Sequence, residues 1–199
     1  MTIDRKVVIE SLSKIKVQGN QDGLIPGFGV LVNQLPASLW NNFADMLTNS
    51  VGPDMLEPAQ YLLRWAGNEC GYHTGYGIIT SEEWKAVVQP MITKQPDDIL
   101  HGAFAIFSAW GWAQCEIVEL VAAEKMVVRA YDYYESDIVL KGQSRVMSAY
   151  MLEGVCAAFF DLAYGKKPYP DGLGTFVCTQ TKGIECGDDY GEFVVTRAK

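Results

Sequence analysis

The sequence predicts an α+β domain in which an antiparallel sheet packs on helices. Apolar residues recur at helical spacing through much of residues 36–109. Two β-rich runs, residues 115–121 and 126–130, follow closely enough to form a hairpin with a longer loop. A long amphipathic stretch, residues 144–164, predicts a helix. Two further strand-like runs come after it, at residues 173–180 and 192–196.

The N-terminal part predicts short elements and one long helix. Residues 3–15 are expected to form a short helix or an irregular arm, and the glycines of residues 19–29 indicate a loop. A short strand is expected at residues 30–32. Pro36 suits a first helical turn, so a helix is predicted from there to about Gly52.

Three more helices are expected before the first β-rich run. One covers residues 55–70 and ends with Gly71 as its C-cap, because three glycines in residues 71–80 indicate a turn or loop that would contain His73. Thr80 and Glu83 have the spacing of a capping box, which predicts the next helix. The last helix opens at Pro96 and ends near residue 109.

Charge and hydropathy exclude two classes of partner. The chain has 199 residues, with 16 Lys and Arg against 24 Asp and Glu, and a formal net charge of −8. The electric field of this net negative charge repels nucleic acid, and nucleic-acid binding requires clustered basic residues. No run approaches the ~20 apolar residues that span a bilayer, and the charged N-terminus does not match a signal peptide. We therefore expect a cytoplasmic protein with neither nucleic-acid nor membrane partners.

Motifs for catalysis or cofactors are not evident. The five cysteines form no CxxC pair and predict free thiols that pack as small hydrophobic residues. Only His73 and His101 could serve a nucleophilic triad, and nothing local supports one. The short glycine sets do not match a dinucleotide or phosphate loop. We expect no cofactor, and the enzyme interpretation is the weaker one.

Three segments carry a family resemblance. Residues 30–36 and 61–67 read VLVNQLP and YLLRWAG, and residues 181–193 read TKGIECGDDYGEF. The first two resemble the N-terminal module of aromatic-responsive activators of the XylR and DmpR type. The third is similar to the closing motif of the 4-vinyl reductase domain that follows that module. The resemblance covers roughly residues 25–199 and suggests a helical module over residues 1–78 and a ligand-binding domain over residues 79–199.

The resemblance implies a fold and a role. The fold is a small antiparallel sheet packed on helices, also similar to vesicle-tethering subunits, and usually a homodimer. The implied role is to hold a hydrophobic or aromatic ligand between helices and sheet and to regulate transcription through attached modules. The phosphate loop of such an ATPase module does not occur in this sequence. The chain is therefore either a stand-alone sensor or a fragment of a larger regulator, and the starting Met and the closing strand favour the stand-alone sensor.

Departures from the family pattern are informative about metals. The resemblance implies zinc held by two cysteines, an acidic residue and a helical cysteine. The matching positions are Gly183, Gly191, Gln180 and a position near Ala149, none of which supplies a thiolate or carboxylate. Cys178 and Cys186 have suitable mutual spacing but are out of register. We expect no bound metal.

The predicted ligand site lies between the long helix and the sheet. The polar His and Trp that hold a phenol in the family correspond to positions near Phe107 and Ala130, so a different or less polar ligand is expected. One aromatic cluster is either packing at a strand end or the wall of a pocket for a planar or apolar ligand: Trp110, Trp112, Tyr131, Tyr133 and Tyr134. Glu153 either reaches water at the border of the core or anchors a ligand. The predicted ligand-binding residues are Phe107, Trp110, Val128, Ala130, Tyr134, Tyr150, Glu153 and Cys178.

Two other functions stay open from the sequence. The first is an enzyme acting on a hydrophobic or tetrapyrrole-like substrate, as the name of the vinyl reductase domain suggests. It would require a convergent acid/base or cofactor motif. The second is an assembly or scaffold subunit of the same fold. It would be distinguished by whether the chain binds any small apolar molecule.

Overall fold

The computed structural model describes residues 2–16, 18–33, 35–137, 142 and 146–198. The helices are α1 Arg5–Leu12, α2 Ala37–Ser50, α3 Pro53–Thr80, α4 Glu82–Val87, α5 Asp97–Ala109 and α6 Tyr150–Tyr164. The strands are β1 Pro26–Gly27, β2 Val30–Leu31, β3 Ala113–Val121, β4 Lys125–Tyr133, β5 Phe176–Lys182 and β6 Gly191–Arg197.

The main sheet confirms the predicted antiparallel architecture. Its four strands lie in the order β3-β4-β6-β5, and every neighbouring pair is antiparallel. The hairpin β3-β4 forms as expected, whereas β6 inserts between β4 and β5. Residues from α5 and α6 share one buried cluster with residues from the strands, so helices cover one face of the sheet.

Helix α3 contradicts the loop predicted at residues 71–80. It continues as one helix for 28 residues, to Thr80, and His73 is therefore an exposed helical residue. Three of its glycines, Gly67, Gly71 and Gly75, lie at intervals of four on the face that meets α6. A Cβ on Gly67 would lie 2.6 Å from the backbone oxygen of Met151, and one on Gly71 would lie 2.9 Å from Val155 Cα. Close helix packing, not a chain break, accounts for these glycines.

Two helix boundaries also differ from the predictions. Ser81, not Thr80, caps α4, because its hydroxyl accepts the backbone N–H of Trp84 at 3.1 Å. The predicted start of the long helix, Ser144, lies outside the described residues, and α6 begins at Tyr150. Residues 146–149 are not helical.

The N-terminal arm packs beside α5. Ile3, Val8 and Leu12 are buried against residues of α3, α4 and α5. Arg5 donates to the backbone oxygen of Phe104 at 3.3 Å. The predicted domain boundary between residues 78 and 79 falls inside α3. The two-part division stays a prediction.

Helix α6 is the central element of the fold. All of its residues from Tyr150 to Asp161 are buried. Among the described residues, no helix has the length and apolar character that crossing a membrane requires. The apolar surface of α6 is instead covered by α3 on one side and by the sheet on the other.

Candidate ligand site

Four of the predicted site residues meet in the core between α5, α6 and the sheet. Phe107, Val128 and Ala130 belong to one buried cluster, and half-buried Cys178 packs against it. These four positions are contributed by α5, β4 and β5. The structure therefore brings this half of the predicted set together.

Aromatic rings fill that interior. The ring of Phe107 meets those of Phe104 and Phe159 edge-on, with centroids 6.5 and 5.8 Å away. Ala130 has no solvent exposure and lies opposite Gly191 on the neighbouring strand. The small side chain of Ala130 thus faces packed protein.

A groove beside this core offers open space. Its volume is about 320 Å³, within the range typical of small-molecule sites. Trp112 meets Tyr134 edge-on at 5.6 Å, and Phe107 lies behind Trp112 at 5.5 Å. Tyr134 is the predicted site residue that lines this space. The full lining is Ser108, Gly111, Trp112, Ala113, Gln114, Asp132, Tyr133 and Tyr134.

The groove carries the acidic side chain of Asp132. Asp132 and Gln114 are exposed and stand opposite each other on β4 and β3. The Asp132 carboxylate has no hydrogen-bond or ion-pair partner among the described residues. The arrangement can therefore hold a flat ring against Trp112 and Tyr134 and accept a hydrogen bond from it.

Trp110 and Tyr150 lie in other parts of the molecule. Trp110 packs edge-on against Phe28 at 4.6 Å, in the cluster with the N-terminal arm. Tyr150 is buried with Ala44 and Leu63 of α2 and α3. The structure does not bring these two residues to the groove.

Glu153 is buried, with 7% of its surface exposed. Its Oε1 accepts the backbone N–H of Gln180 at 2.6 Å, and its Oε2 lies 3.7 Å from Nη1 of Arg64. Burial raises the pKa of Glu153, and these two partners oppose that effect. The interpretation that Glu153 reaches water is wrong. Its carboxylate joins α3, α6 and β5.

The four positions that the resemblance links to zinc do converge, at the start of α6. The Gln180 side chain accepts the Ala149 N–H at 3.2 Å. A Cβ on Gly183 would lie 2.8 Å from Glu185, and one on Gly191 would lie 2.7 Å from Tyr133 Cε1. Among the described residues, no group of three or more His, Cys, Asp or Glu is placed to hold a metal ion. The residues present do not fit zinc.

Trp112 and Tyr133 belong to the aromatic cluster that the sequence left open as packing or pocket wall, whereas no sequence pattern pointed to Glu185. β4 has an extra residue at Tyr131, because Gln114 pairs with Asp132 while Cys115 pairs with Ala130. This bulge turns Tyr133 inward, against the alternation of the strand. The signal depends on the partner strand, so a single sequence does not contain it.

The cysteines are free thiols, as expected. Cys156 and Cys178 lie within hydrogen-bonding reach of each other between α6 and β5. Burial raises the pKa of both thiols, which lowers their thiolate fraction and their reactivity. They behave as core residues.

Comparisons with known proteins extend the fold assignment. No protein-family model and no curated protein matches the sequence. The phenol-responsive sensory domain of the transcription activator PoxR, solved with phenol, matches 99% of this chain and 92% of its own, with a TM-score of 0.71 and 12% identity. Trafficking protein particle complex subunit 3 from Naegleria fowleri, covalently bound to palmitic acid, matches 82% and 93%, with a TM-score of 0.57 and 12% identity.

These likenesses concern the fold. Both fold relatives bind a small, largely apolar molecule according to their descriptions, and neither shares more than 12% of its residues with this chain. The match to the PoxR domain covers 99% of the chain with a TM-score of 0.71. The chain therefore has the fold of a phenol-responsive sensory domain over nearly its whole length.

Proposed function

We propose that this chain is a small-molecule sensory domain that binds a planar, mostly apolar ligand and has a regulatory role. The carrying observation is the match to a phenol-responsive sensory domain along 99% of the chain. The aromatic groove of about 320 Å³ beside the core supports the proposal, because it gives a ring-shaped ligand a place to bind.

The ligand class follows from the groove lining. A ring would pack against Trp112 and Tyr134, while Asp132 would accept a hydrogen bond from a hydroxyl or N–H on that ring. An anionic ligand would be repelled by Asp132 and by the net charge of −8. We therefore propose a neutral or cationic aromatic molecule that bears one donor.

The predicted interior residues keep a role in this proposal. Phe107 lies directly behind Trp112 and belongs to the buried cluster that contains Val128 and Ala130. A ligand that contacts Trp112 in the groove would therefore press on that cluster through Phe107. Occupancy would thereby be transmitted to the packing between α5 and the sheet. Cys178 and Glu153 are proposed only as the far wall of that interior.

Ligand titration tests the proposal. Phenol, indole and toluene are titrated into the full chain by calorimetry, and phenol and indole are expected to bind more tightly than toluene because each can donate to Asp132. Tyr134→Ala should weaken binding by roughly tenfold. The matched control, Tyr131→Ala, changes an exposed tyrosine on the adjoining strand β4 and should leave affinity unchanged. Absence of binding by all three probes would refute the function.

We also propose that the chain forms a homodimer through its exposed apolar segment. Half of the large apolar side chains that are exposed among the described residues lie between positions 31 and 62, in the segment from β2 through α2 to the start of α3. Together these side chains expose on the order of 800 Å² of surface to water. That is about the area that each partner buries in a protein–protein interface of standard size. These residues are Leu31, Leu35, Leu39, Phe43, Met46, Met55, Leu56, Tyr61 and Leu62.

A second copy of the chain is the proposed occupant of this surface. Leu39, Phe43 and Met46 recur at helical spacing on α2, and such a stripe suits pairing with an identical stripe across a two-fold axis. Sedimentation at micromolar concentration should give twice the mass of one chain. A monomer there would favour the second candidate function, an assembly subunit whose apolar surface meets a different protein.

A further inference from the structure

The first turn of α6 lacks a cap of its own. The residue before the helix is Ala149, which has no side-chain acceptor, and the following turns are buried. The first backbone N–H groups of a helix have no partner inside it, and leaving them buried and unpaired is costly. Their acceptors must come from elsewhere in the fold.

Three distant side chains supply those acceptors. Ser148 N–H donates to Glu185 Oε1 and Ala149 N–H donates to Gln180 Oε1, both at 3.2 Å. The N–H groups of Met151 and Leu152 donate to the two carboxylate oxygens of Glu135, each at 2.9 Å. The start of α6 is thus tied to β5 and to the two turns that follow β4 and β5.

The acceptors are themselves connected. Glu185 accepts the Tyr133 hydroxyl and the Gln180 side-chain amide, the latter at 2.7 Å. The Ile184 N–H donates to the same Tyr133 hydroxyl at 3.0 Å. Glu185 has 2% of its surface exposed, Tyr133 3% and Gln180 7%, so this network is closed to water.

Bulges in two strands aim these residues inward. The extra residue Tyr131 on β4 turns Tyr133 toward the core. On β5, Gln180 pairs with Phe193 and Lys182 pairs with Glu192, which leaves Thr181 as a second extra residue. Both irregularities flank the network, which indicates that the sheet is shaped around it.

We infer that Tyr133, Gln180 and Glu185 form a metal-free polar clasp that fastens the start of α6 to the sheet, in the place where the family resemblance implies zinc. Side chains fill the volume that thiolates at positions 183 and 191 would need. The ring of Tyr133 also lines the groove. The clasp therefore fixes one wall of the proposed ligand site, although the inference does not depend on ligand binding.

Two measurements on the full chain test the clasp. First, elemental analysis and urea unfolding with and without a chelator should show no stoichiometric zinc and an unchanged midpoint. Second, Tyr133→Phe keeps the ring but removes the hydroxyl, and it should lower the midpoint and speed amide exchange at Ser148 and Ala149 roughly tenfold. The matched control is Tyr131→Phe, because that exposed tyrosine also donates to a glutamate, Glu116, at 2.8 Å.

The outcomes separate the clasp from its alternatives. One zinc per chain, with a midpoint that falls on chelation, would overturn the inference. So would equal effects of Tyr133→Phe and Tyr131→Phe. If Tyr133→Phe yields no folded protein, slow exchange of the Ser148 and Ala149 amides in the unmodified chain supports the clasp and fast exchange refutes it.

Discussion

Two regions of the molecule differ in how far their apolar side chains are buried. One is the main sheet together with α6, and the other is the segment from β2 to the start of α3. In the first region, α6 is buried from Tyr150 to Asp161, and even its carboxylates have backbone partners. In the second, large side chains such as Leu35 and Met46 leave about two thirds of their surface exposed. The apolar side chains of the first region are buried within one chain. Those of the second form an exposed apolar surface of the kind that binds another protein.

The largest expected loss of stability comes from a substitution in the packed region, at the contact between α3 and α6. Gly154→Ala would place a Cβ 2.3 Å from the backbone oxygen of Arg64 and 2.5 Å from the Asn68 nitrogen. Backbone atoms cannot move aside as a flexible side chain can, so we expect a loss of roughly 3 kcal/mol of unfolding free energy. Urea unfolding measures it. Gly52→Ala, where a Cβ meets nothing within 4 Å, is the control. Because Gly52 is the N-cap residue of α3 and alanine is a poorer N-cap than glycine, this substitution should cost about 1 kcal/mol or less.

The pH dependence of stability probes the buried acid that caps α6. Burial raises the pKa of Glu135 to about 8. A raised acid pKa means that ionisation disfavours the folded state, so its stabilising contribution is full below the unfolded value and is lost as pH rises through about 8. We expect the unfolding free energy to fall by roughly 1–2 kcal/mol between pH 6.5 and 8.

Glu135→Gln isolates that contribution. The amide cannot ionise, so the difference between the variant and the unmodified chain should change with pH over this window. Below pH 6.5, His101 acts in the opposite direction, because burial lowers its pKa and protonation there disfavours the folded state. Parallel pH profiles of the two proteins would contradict the role given to Glu135.

Introducing a charge into the exposed apolar segment tests whether that segment forms the proposed dimer interface. Phe43→Asp on α2 should raise the dissociation constant of the proposed dimer by roughly tenfold or more, because a carboxylate would be desolvated in the interface. Sedimentation over a concentration series measures the shift. Val118→Asp, at an exposed position of β3, should leave the dimer unchanged. If both substitutions weaken association equally, the interface has been placed on the wrong surface.

The smallest effect is expected on the outer face of the sheet. Arg129 lies over the Tyr190 ring at 4.6 Å and 3.2 Å from Glu192, and its side chain is partly exposed. Arg129→Ala should cost less than about 1 kcal/mol, as exposed ion pairs usually contribute little. Thermal unfolding checks this, and sedimentation of the same variant should show no change in mass. A larger loss would mean that this surface also has a structural partner.

The sequence predicted the fold class and the long buried helix, because the spacing of apolar residues determines both. It mispredicted the end of α3, since a glycine that breaks a helix and one that admits a neighbouring helix look alike. Gly71 is understood only once Val155 lies 2.9 Å from its Cβ position. Local patterns cannot supply that distance.

The candidate site could be predicted from the sequence less completely than the fold. Phe107, Val128, Ala130 and Cys178 converge as predicted for a core between helix and sheet. Trp112 belongs to the aromatic cluster that the sequence left open as packing or pocket wall, whereas Asp132 became a candidate only through the groove that both residues line. Tyr133 and Glu185 are 52 residues apart, and a strand bulge turns the first toward the second. Pairings at that separation arise from topology, which periodicity does not encode.

The two outer strands of the sheet bear on how copies of the chain can aggregate. Among the described residues, β3 and β5 are the edge strands of the sheet, and edge strands in many proteins recruit further strands into filaments. Side chains occupy part of both edges, since Ser108 bonds the backbone of Ala113 and Cys115 on β3 and Glu153 accepts the Gln180 N–H on β5. β3 is interrupted by the extra residue Val118, next to the charged Glu119, and β5 by Thr181. Such interruptions spoil the register that an incoming strand requires. Self-association of this chain should therefore stop at discrete, closed oligomers and not proceed to fibres.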